Sequence, residues 1–232
     1  MPNVDVEPLP QGDEKVRAVR AMFDAIAPRY DLINRIMTFR MDVGWRRRTV
    51  RTLALAPRAT VLDLACGTGD LCDELTRAGY VPVGVDLSFG MLASAHTDAP
   101  LLQGDALRLS IRDASVDGAT CGFALRNFVA LEPFLESLAR AVRPEGRIAL
   151  LEVATPANRL VRWGHSIYFG HVVPRLGALL SDGAAYRYLP KSVAYLPETD
   201  ELLDMVRTSG FRDVRRDLLS GGIAQLITAT RA

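Results

Sequence analysis

From residue 59 to the C-terminus, short apolar runs rich in β-branched residues alternate with stretches whose apolar residues recur at helical spacing. This alternation predicts a mostly parallel sheet with helices on both faces. The predicted strands are Thr60–Leu64, Val81–Val85, Leu101–Gln103, Gly118–Gly122, Arg147–Val153, Phe211–Asp217 and Ile223–Thr230. The predicted helices between them are Thr68–Ala78, Met91–His96, Leu131–Val142 and Thr199–Ser209. The expected fold class is therefore α/β, built on one seven-stranded sheet.

The residues before the first strand have helical spacing. Lys15–Ile26 places its apolar residues on one face and ends before Pro28, and Tyr30–Leu55 is predicted to be further helix. Met1–Glu14 is proline-rich and acidic and has no apolar signal core, so we expect a flexible tail rather than a targeting peptide.

Residues 156–196 interrupt the alternation between the fifth and sixth strands with an aromatic-rich, apolar stretch. We interpret them as an insertion that covers an isoprenoid tail, a second copy of the chain in a homodimer, or a membrane surface. The expected organisation is a tail (1–14) and a single domain (15–232), which contains a helical cap (15–56) and the insertion or lid (156–196).

Composition restricts the class of protein. The chain has 232 residues, 49% hydrophobic and 24% charged, which suits one globular domain. Its net charge of +1 gives no global attraction to nucleic acid, so we expect no nucleic-acid partner. Cys66, Cys72 and Cys121 have no zinc spacing and are odd in number, which favours a reducing cytosol and no bound metal. No apolar run approaches the ~18 residues of a membrane span. We expect a cytoplasmic protein.

Candidate chemistry begins at the turn after the first strand, Asp63-Leu-Ala-Cys-Gly67-Thr-Gly69-Asp70. Glycines let a backbone turn tightly and pass close to a ligand. By itself, the turn is also compatible with a purely structural role. The second strand ends in Asp86, about 20 residues further on, where an acidic side chain accepts ribose hydroxyls. Together, these features indicate a nucleotide-type ligand.

Two ligands fit this pattern, a dinucleotide and S-adenosylmethionine. A dinucleotide motif requires a third glycine where this chain has Cys72, and Asp70 would lie beside the phosphates with no basic residue nearby in the sequence to offset it. A cationic sulfonium meets no such objection. Asp105 ends the third strand, so we expect Asp63, Asp86 and Asp105 to converge on one crevice at the carboxyl edge of the sheet.

Several segments match a known family beyond its fold. They are Met22–Asn34, Trp45–Arg47, Val61–Asp70, Gly90–Leu92, Gly104–Ala106, Gly122–Asn127, Arg143–Gly146, Ala185–Ser192 and Ser220–Ile223. On these segments the chain, from Met22 to near its end, resembles the ubiquinone/menaquinone biosynthesis C-methyltransferases. The glycine segment is common to all class I methyltransferases. The Tyr-Asp-x-x-Asn, Leu-Arg-Asn and Ala-Tyr-x-Tyr-Leu-Pro-x-Ser segments make the resemblance specific.

The resemblance implies a Rossmann-like class I methyltransferase fold and S-adenosylmethionine as methyl donor. The acceptor would be a ring carbon of a prenylated hydroquinone, either demethylmenaquinol-like or a ubiquinone precursor. The implied catalytic residues are Arg126 and Asn127. The expected cofactor contacts are Tyr30, Asp63, Ala65, Gly67, Thr68, Gly69, Asp86, Leu87, Met91, Asp105, Ala106 and Gly122.

The chemistry gives Arg126 and Asn127 distinct expected roles. An aromatic carbon becomes nucleophilic when a neighbouring hydroxyl loses its proton, and a phenol has a pKa near ~10. Arg126 is too strong a base to take that proton, but as a fixed cation it would lower the pKa of the phenol and orient a water that does. Asn127 would hold a hydroxyl by a hydrogen bond. Tyr30 is expected near the sulfonium.

The sequence departs from the family at two places. Ala124 stands where the family has glycine, which adds a methyl group beside the predicted site, and Ile227 stands where the family usually has a histidine. The second departure keeps open a divergent enzyme that methylates another small aromatic or a polyketide. A cofactor-binding scaffold without turnover is a third reading, because a fold does not guarantee activity.

Two further features remain open. His165 and His171 lie in the predicted insertion and are more typical of bystanders than of bases. The arginine run at 46–48 and 51 is typical of a solvated helix face, and beside a bilayer it would also pair with anionic headgroups as a peripheral membrane contact.

Overall fold

The structure, a computed structural model, describes residues 11–156, 158 and 192–232. These residues contain a seven-stranded sheet with the order β3-β2-β1-β4-β5-β7-β6. The strands are β1 (Thr60–Leu64), β2 (Val81–Asp86), β3 (Leu101–Gln103), β4 (Val116–Gly122), β5 (Val142–Val153), β6 (Phe211–Leu219) and β7 (Ala224–Arg231). β1 to β5 pair in parallel, and β7 lies antiparallel between β5 and β6. The predicted α/β class is confirmed.

Helices precede the sheet and connect its strands. They are α1 (Gly12–Ile26), α2 (Tyr30–Met37), α3 (Met41–Leu53), α4 (Asp70–Arg77), α5 (Phe89–Ala93), α6 (Glu132–Ala141) and α7 (Thr199–Thr208). A short 3-10 helix, Leu125–Asn127, follows β4 and carries the predicted catalytic pair. Most of the predicted insertion lies outside the described residues, together with His165, His171 and the first ten residues of the predicted tail.

The sheet separates two apolar layers because successive side chains of a strand point to opposite faces. On β1, Leu62 belongs to a cluster that contains Phe134 and Leu138 of α6, whereas Val61 packs in a second cluster with Leu75 of α4. All five side chains are fully buried. Burial on both faces explains why the central strands are nearly continuously apolar in sequence.

The structure corrects two helix boundaries. The predicted helix Tyr30–Leu55 is divided into α2 and α3 by Phe39 and Arg40, which have φ values of 50° and 62°. The amide of Arg40 donates to Arg35 O at 2.9 Å, as where a right-handed helix ends in residues of left-handed conformation. The predicted tail also ends earlier than expected, since α1 begins at Gly12.

Asp70 lies between two arginines of the cap. Arg35 Nη2 donates to its Oδ1 at 2.8 Å, and Arg46 Nη2 lies 3.1 Å from its Oδ2. Arg46 is buried, and it also pairs with Asp42. The expectations that no basic residue offsets Asp70 and that Arg46 lies on a solvated face are therefore wrong. They fail because the cap folds back onto α4 and brings together charges that are distant in sequence.

Replacing Asp70 should test this contact between the cap and the sheet. Asp70→Asn should lower the free energy of unfolding at pH 7 by about 2–3 kcal/mol, because a buried arginine loses one of its carboxylates. Asp73→Asn is the matched control, since Asp73 pairs with exposed Arg77 and should cost less than about 0.5 kcal/mol. Denaturant unfolding measures both values, and equal losses in the two variants would contradict the assignment.

The same variant makes a pH prediction. Burial raises the pKa of Asp70, but the charges of Arg46 and Arg35 outweigh it, so the pKa lies below its usual value. A lowered pKa means that the stabilisation is present above the unfolded value, about 3.9, and is lost as the pH falls below it. The difference between Asp70→Asn and the parent should therefore disappear in acid.

Candidate functional site

An open cavity lies at the carboxyl ends of β1, β2 and β4, where open α/β sheets bind ligands. Its wall contains ten of the predicted site residues: Tyr30, Ala65, Gly67, Asp86, Leu87, Met91, Asp105, Ala106, Gly122 and Asn127. Four predicted residues lie outside the wall: Asp63, Thr68, Gly69 and Arg126. The structure thus brings most of the predicted site together and gives the remaining residues positions behind it.

The carboxylate of Asp86 fixes the turn after β1. Its Oδ2 accepts a hydrogen bond from the amide of Gly67 at 2.8 Å, and its Oδ1 accepts one from the amide of Ser88 at 2.8 Å. Gly67 has a φ of 58°, and a Cβ there would lie 3.0 Å from the terminal methyl of Met91. Burial raises the pKa of Asp86, and the backbone N–H groups oppose this shift. These contacts hold the turn in one shape.

Asp63 lies beneath the turn rather than in the cavity wall. It is fully buried, its Oδ1 accepts a hydrogen bond from Thr120 Oγ1 at 2.7 Å, and the thiol of Cys72 lies 3.6 Å from its Oδ2. Asp63 and Thr120 are paired positions of β1 and β4, which explains the contact. The expected convergence of three carboxylates is thus corrected, because only Asp86 and Asp105 line the cavity.

The buried position of Asp63 predicts a pH dependence. Burial raises its pKa to about 7, although the bonds from Thr120 and Cys72 oppose the shift. Because the pKa is raised in the folded protein, the protonated carboxyl stabilises the fold. This stabilisation is complete when the pH is below the pKa of the unfolded chain, about 3.9, and is lost as the pH rises to about 7. In Asp63→Asn this titration is absent. The unfolding free energy of the variant relative to the parent should rise by on the order of 4 kcal/mol between pH 4 and 7. A difference that is constant with pH would overturn this account.

Thr68 and Gly69 support the turn from the side of the cap. Thr68 Oγ1 donates to Asp31 Oδ1 at 2.8 Å, and the carbonyl of Thr68 accepts from the amide of His96 at 3.1 Å. Gly69 has a φ of 94°, and a Cβ there would lie 2.4 Å from a carbon of Thr97. Both residues therefore hold the turn between α2 and the segment after α5.

Helix α1 forms part of the cavity wall and is held by hydrogen bonds near both of its ends. Val16, Val19 and Phe23 line the wall. Near one end, the buried Lys15 donates from Nζ to Phe128 O at 2.6 Å, and burial lowers its pKa to about 8. Near the other end, Asp24 Oδ1 accepts from the amide of Gly90 at 2.9 Å. Sequence reasoning missed this contribution, because the apolar face of α1 is equally typical of a helix that packs on the core.

The guanidinium of Arg126 lies just behind the wall and is almost completely buried. Its Nη1 donates to Phe123 O at 2.8 Å and to the carboxylate of Glu152, and its Nε donates to Ser192 Oγ at 3.1 Å. The fully buried Glu152 was missed from sequence. Its signal was that it is the single charged residue in the apolar run 148–153, the second half of β5.

The two departures from the family differ in their surroundings. Ala124 lines the cavity, so its added methyl group faces the site. Ile227 is fully buried on β7 and belongs to the apolar layer that contains Phe134 and Leu150. The change at 227 therefore does not alter the described cavity wall, whereas the change at 124 does.

Within the described residues, no helix is both long and apolar enough to cross a membrane. The same ranges contain no group of three or more His, Cys, Asp or Glu side chains that could hold a metal ion.

Comparison with solved structures defines the class of fold. A Thermotoga maritima S-adenosylmethionine-dependent methyltransferase superposes with a TM-score of 0.66 at 18% identity, covering 92% of this chain and 99% of that one. A Haemonchus contortus phosphoethanolamine N-methyltransferase, solved with S-adenosylmethionine, gives 0.60 at 12% identity, covering 81% and 52%. The fold is that of the class I, Rossmann-like methyltransferases.

Sequence comparison then gives the family. The chain belongs to the ubiE/COQ5 methyltransferase family, whose profile matches residues 11–231. It is 42% identical to the ubiquinone/menaquinone biosynthesis C-methyltransferase UbiE of Syntrophotalea carbinolica over 92% of this chain and 94% of that protein. It is 43% identical to the demethylmenaquinone methyltransferase of Deinococcus radiodurans over 91% and 93%. The resemblance expected from the motifs is confirmed.

Proposed function

We propose that this protein transfers a methyl group from S-adenosylmethionine to a ring carbon of a prenylated hydroquinone, either demethylmenaquinol-like or a ubiquinone precursor. One observation carries the proposal: Asp86 and Asp105, expected to hold the donor, lie in the same cavity wall as Asn127, expected to hold the acceptor. The names of the relatives supply the acceptor class.

The cavity suits the proposed donor. Asp86 would accept the ribose hydroxyls, and Asp105 with Ala106 would contact the adenine. The wall carries the two carboxylates Asp86 and Asp105 and the guanidinium of Arg20 among largely apolar residues. Arg20 lies 3.8 Å from the carboxylate of Asp24, which offsets its charge, so the wall would still favour a cationic ligand with an aromatic base. When bound, S-adenosylmethionine supplies an electrophilic methyl group on a sulfonium.

The residues at the end of β4 would prepare the acceptor. Asn127 would hold one hydroxyl of the ring, and the charge of Arg126 would lower the pKa of the neighbouring phenol, so that a water takes its proton. The methyl group would leave the sulfonium for the ring carbon, and the hydrogen of that carbon would then leave as a proton to water, which restores the aromatic ring. Tyr30 would limit access to the methyl group, with its ring 5.9 Å from that of Phe23. Positioning the reactants in line would supply most of the remaining rate, worth ~7–11 kcal/mol when geometry is held.

We place the reaction at the cytoplasmic face of a bilayer, because an isoprenoid tail of the acceptor would reside there. The side chains of Leu32 on α2 and of Arg47 and Arg48 on α3 are exposed, and the two arginines lie within 3.6 Å of Glu74 and Asp217. Exposed apolar and basic side chains are typical of surfaces that meet anionic headgroups, which would replace these carboxylates as partners.

The acceptor is tested by incubating the protein with S-adenosylmethionine and one of three reduced substrates: a prenylated demethylmenaquinol, a prenylated ubiquinone precursor, or a tail-less aromatic diol. Mass spectrometry and NMR should find a new carbon-bound methyl on a prenylated ring. Arg126→Met should lose most turnover, and Arg207→Met, which changes an exposed arginine paired with Asp204 on α7, should keep it. Preference for the tail-less ring, or methylation on oxygen, would instead support a divergent enzyme with another acceptor. The methyl group of Ala124 in the cavity wall would then contribute to the choice of acceptor. Donor binding without turnover on any ring would support a scaffold.

A further inference from the structure

Glu152 is a fully buried carboxylate on β5 that contacts the Leu125–Asn127 segment at two points. Its Oε2 accepts a hydrogen bond from the backbone amide of Arg126 at 3.2 Å, and its Oε1 accepts one from the guanidinium Nη1. Oε1 also accepts from the amide of Val153 at 2.8 Å. The carboxylate and the guanidinium therefore form a hydrogen-bonded pair with no net charge.

The charge of Arg126 acts at the cavity although its side chain lies behind the wall. Phe123, Ala124 and Asn127, its neighbours in sequence, all line the cavity. Tyr30 lines the same cavity; burial raises its pKa, and the charge of Arg126 is among the smaller causes that oppose the shift. A cation bound in the cavity would experience the same field.

Both oxygens of Glu152 accept N–H groups of Arg126, one from the backbone and one from the guanidinium. A glutamine has a single carbonyl oxygen, so its NH2 group would face a donor on the other side. The carboxylate also supplies a counter-charge to the buried guanidinium, since a buried charge without a partner is costly. The two ligands exchanged in the proposed reaction would respond differently to this counter-charge, because S-adenosylmethionine is a cation and S-adenosylhomocysteine is not.

We propose that Glu152 is a positioning residue that offsets part of the field of Arg126, so that the cavity binds the cationic methyl donor without strongly favouring its neutral product. This inference rests on the proposed function for the identity of the donor, and the remaining local field of the guanidinium would still lower the pKa of the acceptor phenol. An unbalanced guanidinium would repel the sulfonium and leave the product unaffected, which would make the enzyme strongly product-inhibited. Glu152 reduces that repulsion and also holds the guanidinium in a fixed direction.

The test compares the binding of both ligands to three variants of the Glu152–Arg126 pair, which differ in the net charge of that pair. Glu152→Gln leaves the pair with a net charge of +1, Arg126→Met leaves it with −1, and the double variant is neutral. Calorimetry on each protein gives the Kd for S-adenosylmethionine and for S-adenosylhomocysteine, and the ratio of the two is the readout. One charge at roughly 10 Å in an effective dielectric near ~20 corresponds to a change of about tenfold or somewhat more.

We expect Glu152→Gln to weaken donor binding relative to product binding by about tenfold, and Arg126→Met to change the ratio in the opposite direction. The double variant should return to the parent ratio. Glu145→Gln is the matched control, since it makes the same chemical change in an exposed pair with Arg212 and should leave the ratio unchanged.

A purely structural role for Glu152 predicts equal weakening of both ligands, and an unchanged ratio in the folded single variants would overturn the proposal. Circular dichroism and thermal unfolding identify the folded proteins. If Glu152→Gln does not fold, Arg126→Met and the double variant complete the comparison. Failure of the parent protein to bind either ligand would instead refute the proposed function.

Discussion

The carboxylate of Asp86 joins three parts of the molecule with two backbone hydrogen bonds. By accepting the amide of Gly67, it closes the turn after β1 onto the end of β2, and by accepting the amide of Ser88, it starts the segment that forms α5. Ser88 and Gly90 then meet Asp24 of α1. Strand, turn and cap therefore share one anchor, and the shape of the cavity depends on it.

Around this anchor, each of the two buried arginines forms ion pairs with carboxylates. Arg46 pairs with Asp42 and Asp70, and Arg126 pairs with Glu152. Buried pairs add little net stability compared with apolar packing, but removing one partner is costly, so they hold their elements in one arrangement. Lys15 differs, since its ammonium donates to a carbonyl and lies 3.5 Å from the centre of the Tyr195 ring. Burial of this cation lowers its pKa to about 8. At this end α1 is therefore held through a neutral carbonyl and an aromatic ring rather than through a carboxylate.

The sequence predicts features that depend on local periodicity and on strand ends. Each of the seven predicted strands overlaps an observed one, although β5 begins at Val142 rather than at Arg147. The central parallel strands are recognisable because they are buried and nearly continuously apolar. Asp86 and Asp105 were placed in one crevice because strand ends share an edge. Asp63 was misplaced because strand alternation, not position at the end, decides which side a residue faces.

Predictions failed where distant segments meet. Nothing near Asp70 in sequence reveals Arg35 and Arg46, because the contact requires the cap to fold back. The break at Phe39 and Arg40 lacks the glycine that usually marks a left-handed turn. Glu152 gave a signal, since it is the charged residue in the apolar run 148–153 of β5, but its partner was identifiable only from the fold. The departure at 227 looked functional in sequence, yet Ile227 packs in the core, away from the described cavity wall.

The central claim is that the cavity between the carboxyl edge of the sheet and α1 holds the methyl donor. A crystal structure of the protein with S-adenosylhomocysteine tests it most directly. We predict electron density for the ribose hydroxyls at Asp86, for the adenine beside Asp105 and Ala106, and for the sulfur on the side of Asn127, with the hydrogen bonds from Gly67 and Ser88 to Asp86 retained. Density for the ligand outside this cavity, or with the adenosine directed away from Asp86 and Asp105, would contradict the account.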